Sequence, residues 1–235
     1  QLVNDNCHAL GATYFDDQQY AVKYADAVIQ SYHPVKHITT GEGGAVLTNA
    51  AWVDEKVRLL RTHGITKNND QLKKNDGPWY YEMHTLGYNY RITDFQCALG
   101  SNQMKKLNLF VEKRRQIAKY YDKAFENNQL LTTPSKSDNV NCSYHLYPLQ
   151  IDFEKLGFGK TDLFNKMKEF GIILQVHYIP VHLQPFYKEK YGFKNGDFPL
   201  SEKFYNQEIS LPIYPGLKED DVKNVIKALL EEVKS

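Results

Sequence analysis

The chain has 235 residues, 42% of them hydrophobic and 24% charged, and its 29 Lys and Arg against 28 Asp and Glu leave a net charge of +1. That is globular composition, long enough for one sizeable domain or for a large and a small one. The basic residues are scattered and matched by acids, which speaks against a nucleic-acid surface. The three cysteines (Cys7, Cys97 and Cys142) lie far apart without a CxxC pair, so neither a zinc site nor an iron–sulfur cluster is predicted, and no metal is expected. So sparse a count suits a reducing cytoplasm. No run approaches the roughly 18 apolar residues of a membrane span, and the start has no basic region of a secretory signal.

In chain order, the first residues read as a short strand ending at Asp5. Residues 25–32 (ADAVIQSY) read as a buried strand and residues 44–48 (GAVLT) as another, with a glycine-rich turn just ahead of the second. Residues 51–62 carry apolar side chains at helical spacing. Residues 67–78, rich in Asn, Lys, Asp and Gly, read as a flexible surface loop. A long helical pattern covers residues 93–127, broken near Gly100 and again near Asn108, with Phe110, Ile117, Tyr121 and Phe125 on one stripe. Its basic run at residues 113–115 reads as a solvated face. Residues 144–151 then read as a strand. Residues 163–170 form a helix stopped by Gly171, and residues 172–178 an extended run with Ile173, Gln175 and His177 on one face. Val222, Val225, Ile226, Leu229 and Val233 mark a closing amphipathic helix. Strands alternating with helices predict α/β layering, with a smaller α+β unit at the end.

The chemistry concentrates in residues 31–44 (SYHPVKHITTGEGG). Lys36 follows a strand and sits between Pro34 and a glycine-rich reversal. Two readings are open from that pattern alone: a surface lysine beside a turn, or a restrained amine whose pKa burial lowers until it serves as a nucleophile for carbonyl groups. The glycines match neither a dinucleotide fingerprint nor a Walker A loop. Asp5, with His8 and Gly11 after it, and Ser31 lie at strand ends, where open α/β sheets place ligands.

Together, Asp5, Ser31, His33, Lys36 and the TTGEGG run resemble the DegT/DnrJ/EryC1/StrS family of sugar aminotransferases. Residues 87–91 (GYNYR), 143–148 (SYHLYP), 171–182 (GIILQVHYIPVH) and 210–213 (SLPI) resemble further landmarks of that family in the same order, so the resemblance covers the whole chain. It implies the fold-type-I, aspartate aminotransferase-like architecture of pyridoxal-phosphate enzymes. Residues 1–105 would be the C-terminal portion of the cofactor-binding large domain, and residues 106–235 a bridging helix and a small domain. The implied activity is amination of a UDP- or dTDP-linked 4-keto-6-deoxy sugar with L-glutamate as donor. Within the family the look is that of the pseudaminic-acid pathway transaminases.

Site roles follow from the same resemblance. Lys36 would carry pyridoxal 5'-phosphate and move the proton; relatives that remove a hydroxyl have histidine there. Asp5 would face the pyridine nitrogen, His8 the ring, and Ser31 the phosphate. Asn89 would reach the cofactor phosphate of a neighbouring subunit, which implies a homodimer with shared sites. Arg91, with Tyr88 and Tyr90, would serve a nucleotide diphosphate or pack the interface. Gln175, His177, Tyr178 and His182 would contact the sugar. Family members carry a further segment ahead of the equivalent of Asp5, so the large domain is expected to be incomplete, with apolar strand edges and faces at residues 2–4 and 27–30 uncovered. The alternative function is a non-catalytic remnant acting in assembly or sugar binding.

Overall fold

The computed structural model describes residues 1–234; Ser235, the last residue of the expected second domain, lies outside the described residues. The chain divides into two compact units, Gln1–Asn108 with Asn139–Asn141, and Leu109–Asp138 with Cys142–Ser235.

The first unit opens with β1 (Val3–Asp5), β2 (Thr13–Tyr14), α1 (Tyr20–Tyr24), β3 (Ala27–Ser31) and β4 (Gly44–Leu47). β1 and β3 pair in parallel, Val3 with Ala27 and Asp5 with Ile29. Parallel neighbours cannot be joined by a tight turn, which is why residues 6–26 cross over between them. β4 returns antiparallel along the other side of β3, with Ser31 opposite Gly44. β3 is thus the central strand, and its Ala27 and Val28 are buried. This topology carries the C-terminal ends of β1 and β3, at Asp5 and Ser31, to one end of the sheet.

Next come α2 (Ala51–Leu60), β5 (Ile65–Thr66), β6 (Glu82–Met83) and α3 (Asp94–Met104). The loop between β5 and β6 has no regular structure, as its composition predicts, but it is pinned. The Glu82 carboxylate accepts from the backbone N–H groups of Lys73 and Lys74 at 2.9 and 3.2 Å and from the Tyr80 hydroxyl at 3.0 Å, and lies 2.7 Å from His84 Nε2. These bonds, the one with His84 foremost, hold its pKa down at about 2. α3 starts at a capping box between Thr93 and Gln96. Gly100 does not break this helix, contrary to the sequence reading. It lies buried inside α3, where an added Cβ would stand 2.8 Å from the Thr40 methyl group, so its smallness serves packing. The helical run breaks after Met104, close to the second break expected near Asn108, and α4 (Leu107–Phe125) follows.

Beyond α4 the order is β7 (Leu131–Thr132), β8 (Val140–Asn141), β9 (Pro148–Ile151), α5 (Phe153–Leu156), α6 (Lys160–Glu169), α7 (Pro185–Tyr191), α8 (Pro199–Gln207), β10 (Glu208–Ser210) and α9 (Glu219–Glu232). β8 pairs with β2 and belongs to the first unit. In the second unit an antiparallel sheet of order β10–β9–β7 sets Leu149 opposite Ile209 and Ile151 opposite Leu131. Tyr121, Phe125, Leu149, Ile151, Leu163, Met167 and Leu229 belong to one continuous core, with Leu149 and Ile151 on the same face of β9. Its aromatic hydroxyls are satisfied: Tyr121 donates to the Pro212 carbonyl and Tyr147 to Asp122 Oδ1, each at 2.8 Å.

Three sequence readings change here. Arg114, expected on a solvated face, is only 3% exposed. Its Nη1 donates to the carbonyls of Tyr144, His145 and Ile213 at 3.2, 3.2 and 2.8 Å, and burial pulls its pKa down to about 10. The strand expected over residues 144–151 is shortened to β9 because those carbonyls go to Arg114 and Tyr144 takes a left-handed φ of 49°. Residues 172–178 are not a strand either. Only Gln175 bridges to Ser210, while the His177 N–H turns to the Glu208 carboxylate at 2.9 Å. The expected alternation survives locally, with Ile172 and Leu174 buried and Ile173 exposed.

Candidate functional site

Lys36 enters the site through a chain reversal. After β3 the backbone turns at once, the Lys36 N–H donating to the His33 carbonyl at 3.0 Å. The Tyr32 carbonyl then receives both the Thr40 N–H and the Thr39 hydroxyl at 3.0 Å. Gly41 takes φ +81°, and at Gly44 an added Cβ would lie 2.5 Å from the Gln30 carbonyl oxygen. Glycine is therefore required at one position for conformation and at the other for close approach of β4 to β3. Gln96 of the α3 capping box donates through Nε2 to the Glu42 carbonyl at 2.9 Å, fastening the reversal to that helix.

At the end of β1 the Asp5 carboxylate accepts from the Cys7 backbone N–H at 3.1 Å. Bonds from the Cys7 thiol and N–H hold Asp5 below its ordinary pKa, and the charges of His8 and Lys36 act in the same direction. Burial pushes the Cys7 thiol up to about 11, with Asp5 adding to the effect. Burial lowers Lys36, opposed by the charges of Cys7 and Asp5. Asp5, His8 and Lys36, named from the sequence, thus form one electrostatic cluster at the end of the parallel pair. Ser31 is half-buried at the same end, and its Oγ accepts a long 3.4 Å bond from the His33 N–H. Cys7 was missed by the sequence reading, for which it was merely a dispersed cysteine; its place two residues after Asp5 was the available signal.

Asn89 and Arg91 are not drawn into that hydrogen-bonded group. Their stretch is tied by backbone bonds to the end of α2, from Tyr88 N–H to the Leu60 carbonyl at 2.7 Å and from Tyr90 N–H to the Arg61 carbonyl at 2.9 Å. Both side chains are exposed, and the Tyr88 and Tyr90 rings stack at 4.7 Å.

The remaining candidates belong to the second unit and fall into two groups. His177 Nδ1 lies 2.7 Å from Ser210 Oγ, beside a wholly buried Glu208. Gln175 and Tyr178 flank it and are exposed. His182 is buried, its Nε2 lying 2.9 Å from Glu202 Oε1 and its ring 4.7 Å from that of Phe198. It lines a cavity of about 520 Å³ with Tyr187, Tyr191, Phe193 and Phe198. Glu202 and Glu208 carried no signal in the sequence, where a glutamate in a polar stretch reads as surface.

Residues 1–230 match the DegT/DnrJ/EryC1/StrS aminotransferase family, and the chain belongs to it. It is 41% identical to a UDP-4-amino-4,6-dideoxy-N-acetyl-beta-L-altrosamine transaminase of Campylobacter jejuni, over 99% of this chain and 59% of that protein. It is 36% identical to the spore coat polysaccharide biosynthesis protein SpsC of Bacillus subtilis, over 99% and 60%. Among solved structures it superposes with a TM-score of 0.86 and 33% identity on Helicobacter pylori PseC, an aminotransferase involved in the biosynthesis of pseudoaminic acid, covering 99% of this chain and 59% of that one. The fold is accordingly that of the sugar aminotransferases, and the chain spans about three-fifths of the length of the relatives it matches. Among the described residues no helix is long and apolar enough to cross a membrane, and no group of His, Cys, Asp and Glu could hold a metal ion.

Proposed function

We propose that this chain serves a pyridoxal-phosphate-dependent aminotransferase that converts a nucleotide-linked 4-keto-6-deoxy sugar to its amino sugar, with L-glutamate as donor. The observation that carries the reading is the pairing of a partly buried Lys36, its pKa lowered, with an ionised Asp5 at the end of one parallel strand pair. The donor set fits the cofactor. Asp5, held ionised, is an acceptor suited to a protonated pyridine nitrogen. The Ser31 hydroxyl, engaged among the described residues by one long bond, suits a phosphate oxygen. His8 stands beside Asp5 and suits the ring. When bound, pyridoxal phosphate supplies an electron sink for the carbon that gains or loses the amine. The chain's own part is to hold that group through Asp5, His8, Ser31 and Lys36, and to accept and return a proton at Lys36 Nζ.

Asn89 is proposed to complete the phosphate site of a second copy, which makes the working assembly a homodimer in the cytoplasm. Arg91, Gln175, His177, Tyr178 and His182 are proposed for the nucleotide sugar. Among nucleotides UDP is favoured by the 41% identity to a transaminase named for a UDP sugar. The test is to incubate the chain with pyridoxal phosphate, reduce with borohydride, and map the covalent label by mass spectrometry. Label on Lys36, abolished in Lys36→Ala, is expected. Label spread over surface lysines, with Lys36 unmarked, would remove Lys36 from the chemistry and favour a non-catalytic role.

A further inference from the structure

His177 stands in a closed ring of hydrogen bonds. Its Nδ1 lies 2.7 Å from Ser210 Oγ, Ser210 Oγ donates to Glu208 Oε1 at 2.5 Å, and Glu208 Oε2 accepts from the His177 backbone N–H at 2.9 Å. β10 builds this arrangement. Glu208 and Ser210 are two residues apart on one strand and so project to the same face. Pairing with Gln150 and Pro148 of β9 fixes both backbones. The Gln175–Ser210 bridge, with bonds of 3.3 and 2.8 Å, then brings residue 177 alongside. Glu208 is fully buried and Ser210 nearly so, whereas His177 is half-buried.

A proton count fixes the direction of each bond. A serine hydroxyl carries one hydrogen. Given to the Glu208 carboxylate, it leaves Oγ only as an acceptor, so Nδ1 is the donor and the neutral ring keeps its lone pair on Nε2. The reverse order requires a protonated Glu208. Against that, both carboxylate oxygens serve as acceptors, Oε1 of the Ser210 hydroxyl and Oε2 of the His177 backbone N–H. The Lys160 ammonium is close enough that the Glu208 charge opposes the lowering that burial imposes on it.

We propose that Glu208 and Ser210 are positioning residues that fix His177 as its Nδ1–H tautomer, making Nε2 the hydrogen-bond acceptor matched to a hydroxyl of the nucleotide sugar. The ligand class rests on the sugar-contact reading of His177 given above; the tautomer does not.

The experiment is two-bond ¹H–¹⁵N correlation NMR on the intact chain labelled at histidine nitrogen, with Glu208→Gln and Ser210→Ala beside the parent. In the parent, Nδ1 is expected to give the protonated-nitrogen signature and Nε2 the lone-pair signature. In Glu208→Gln the amide oxygen takes the His177 N–H and the amide NH₂ donates to Ser210. The serine hydrogen then passes to Nδ1, and the two signatures exchange. In Ser210→Ala the restraint is lost and the Nδ1–H signature declines. A parent ring protonated at Nε2, or a folded Glu208→Gln or Ser210→Ala chain that keeps the parent pattern, overturns the proposal. Adding UDP-N-acetylglucosamine separates the two readings. Movement of the Nε2 signal supports sugar contact, and a silent Nε2 with the tautomer exchange intact removes the sugar role while the relay stands.

Discussion

Lys36 and Asp5 act on each other through charge, and the sign of that action can be measured. Burial disfavours the ammonium form of Lys36, and the Asp5 carboxylate partly restores it. A lowered pKa means that the neutral, nucleophilic amine is present at lower pH than for an ordinary lysine. Competitive acetylation of the chain across a pH series, read peptide by peptide, should therefore place the Lys36 reactivity curve on the acid side of those of the exposed lysines. In Asp5→Asn the restoring charge is gone, so the Lys36 curve should move further toward acid. A curve that stays in place or moves toward alkali would mean that Asp5 does not reach Lys36. At this scale the candidate residues Asp5, His8, Ser31 and Lys36 were legible in the sequence through the family resemblance, whereas the strand ends and the turn alone left a surface lysine open. The buried polar residues were not. Arg114 and Glu208 are chemically surface types, and only the tertiary fold supplies the carbonyls and the hydroxyl that let them lie inside.

Among elements, the reversal between β3 and β4 decides where Lys36 stands, and its glycines differ in kind. Gly41 has a left-handed φ but open space around it, so Gly41→Ala should cost only the conformational penalty, about 1–2 kcal/mol. Gly44 has no such φ, yet its Cβ would sit 2.5 Å from a backbone oxygen of β3. Gly44→Ala must part the two strands, at about 1–3 kcal/mol, and should also shift the Lys36 reactivity curve, which Gly41→Ala should leave in place. Both tryptophans, Trp52 and Trp79, lie in the first unit, so denaturant unfolding followed by their fluorescence reports the stability of both variants. Identical reactivity curves in the two variants would contradict the distinction. The same physics explains which elements could be read beforehand. α2 and α9 declare themselves by periodicity, β3 and β4 as short apolar runs beside a glycine-rich turn. The shortened β9 and the missing strand at residues 172–178 do not, since their backbone groups are taken by the side chains of Arg114 and Glu208, partners that no local pattern reveals.

Across the whole molecule the apolar core is unevenly shared. Every buried residue of the continuous core lies between Ile117 and Val233, in the second unit. The buried apolar residues of the first unit are Ala12, Ala21, Ala27, Val28, Ile38 and Val53, mostly small, while its Leu2 and Val3 at the sheet edge stay 55% and 63% exposed. Burial of apolar area drives folding roughly in proportion to the area removed from water, so local stability should follow the same division. Native-state hydrogen exchange is expected to find the slowest amides in β9, β10 and α9, with those of β1, β3 and β4 exchanging sooner. Leu149 is fully buried opposite Ile209, and Leu149→Ala should lower protection in the second unit by about 2–5 kcal/mol, the transfer and cavity cost of such a truncation. Equal protection in β3 and β9 would show that the first unit draws its stability from something other than its own buried apolar side chains. A Leu149→Ala chain with unchanged exchange would show the same of the second.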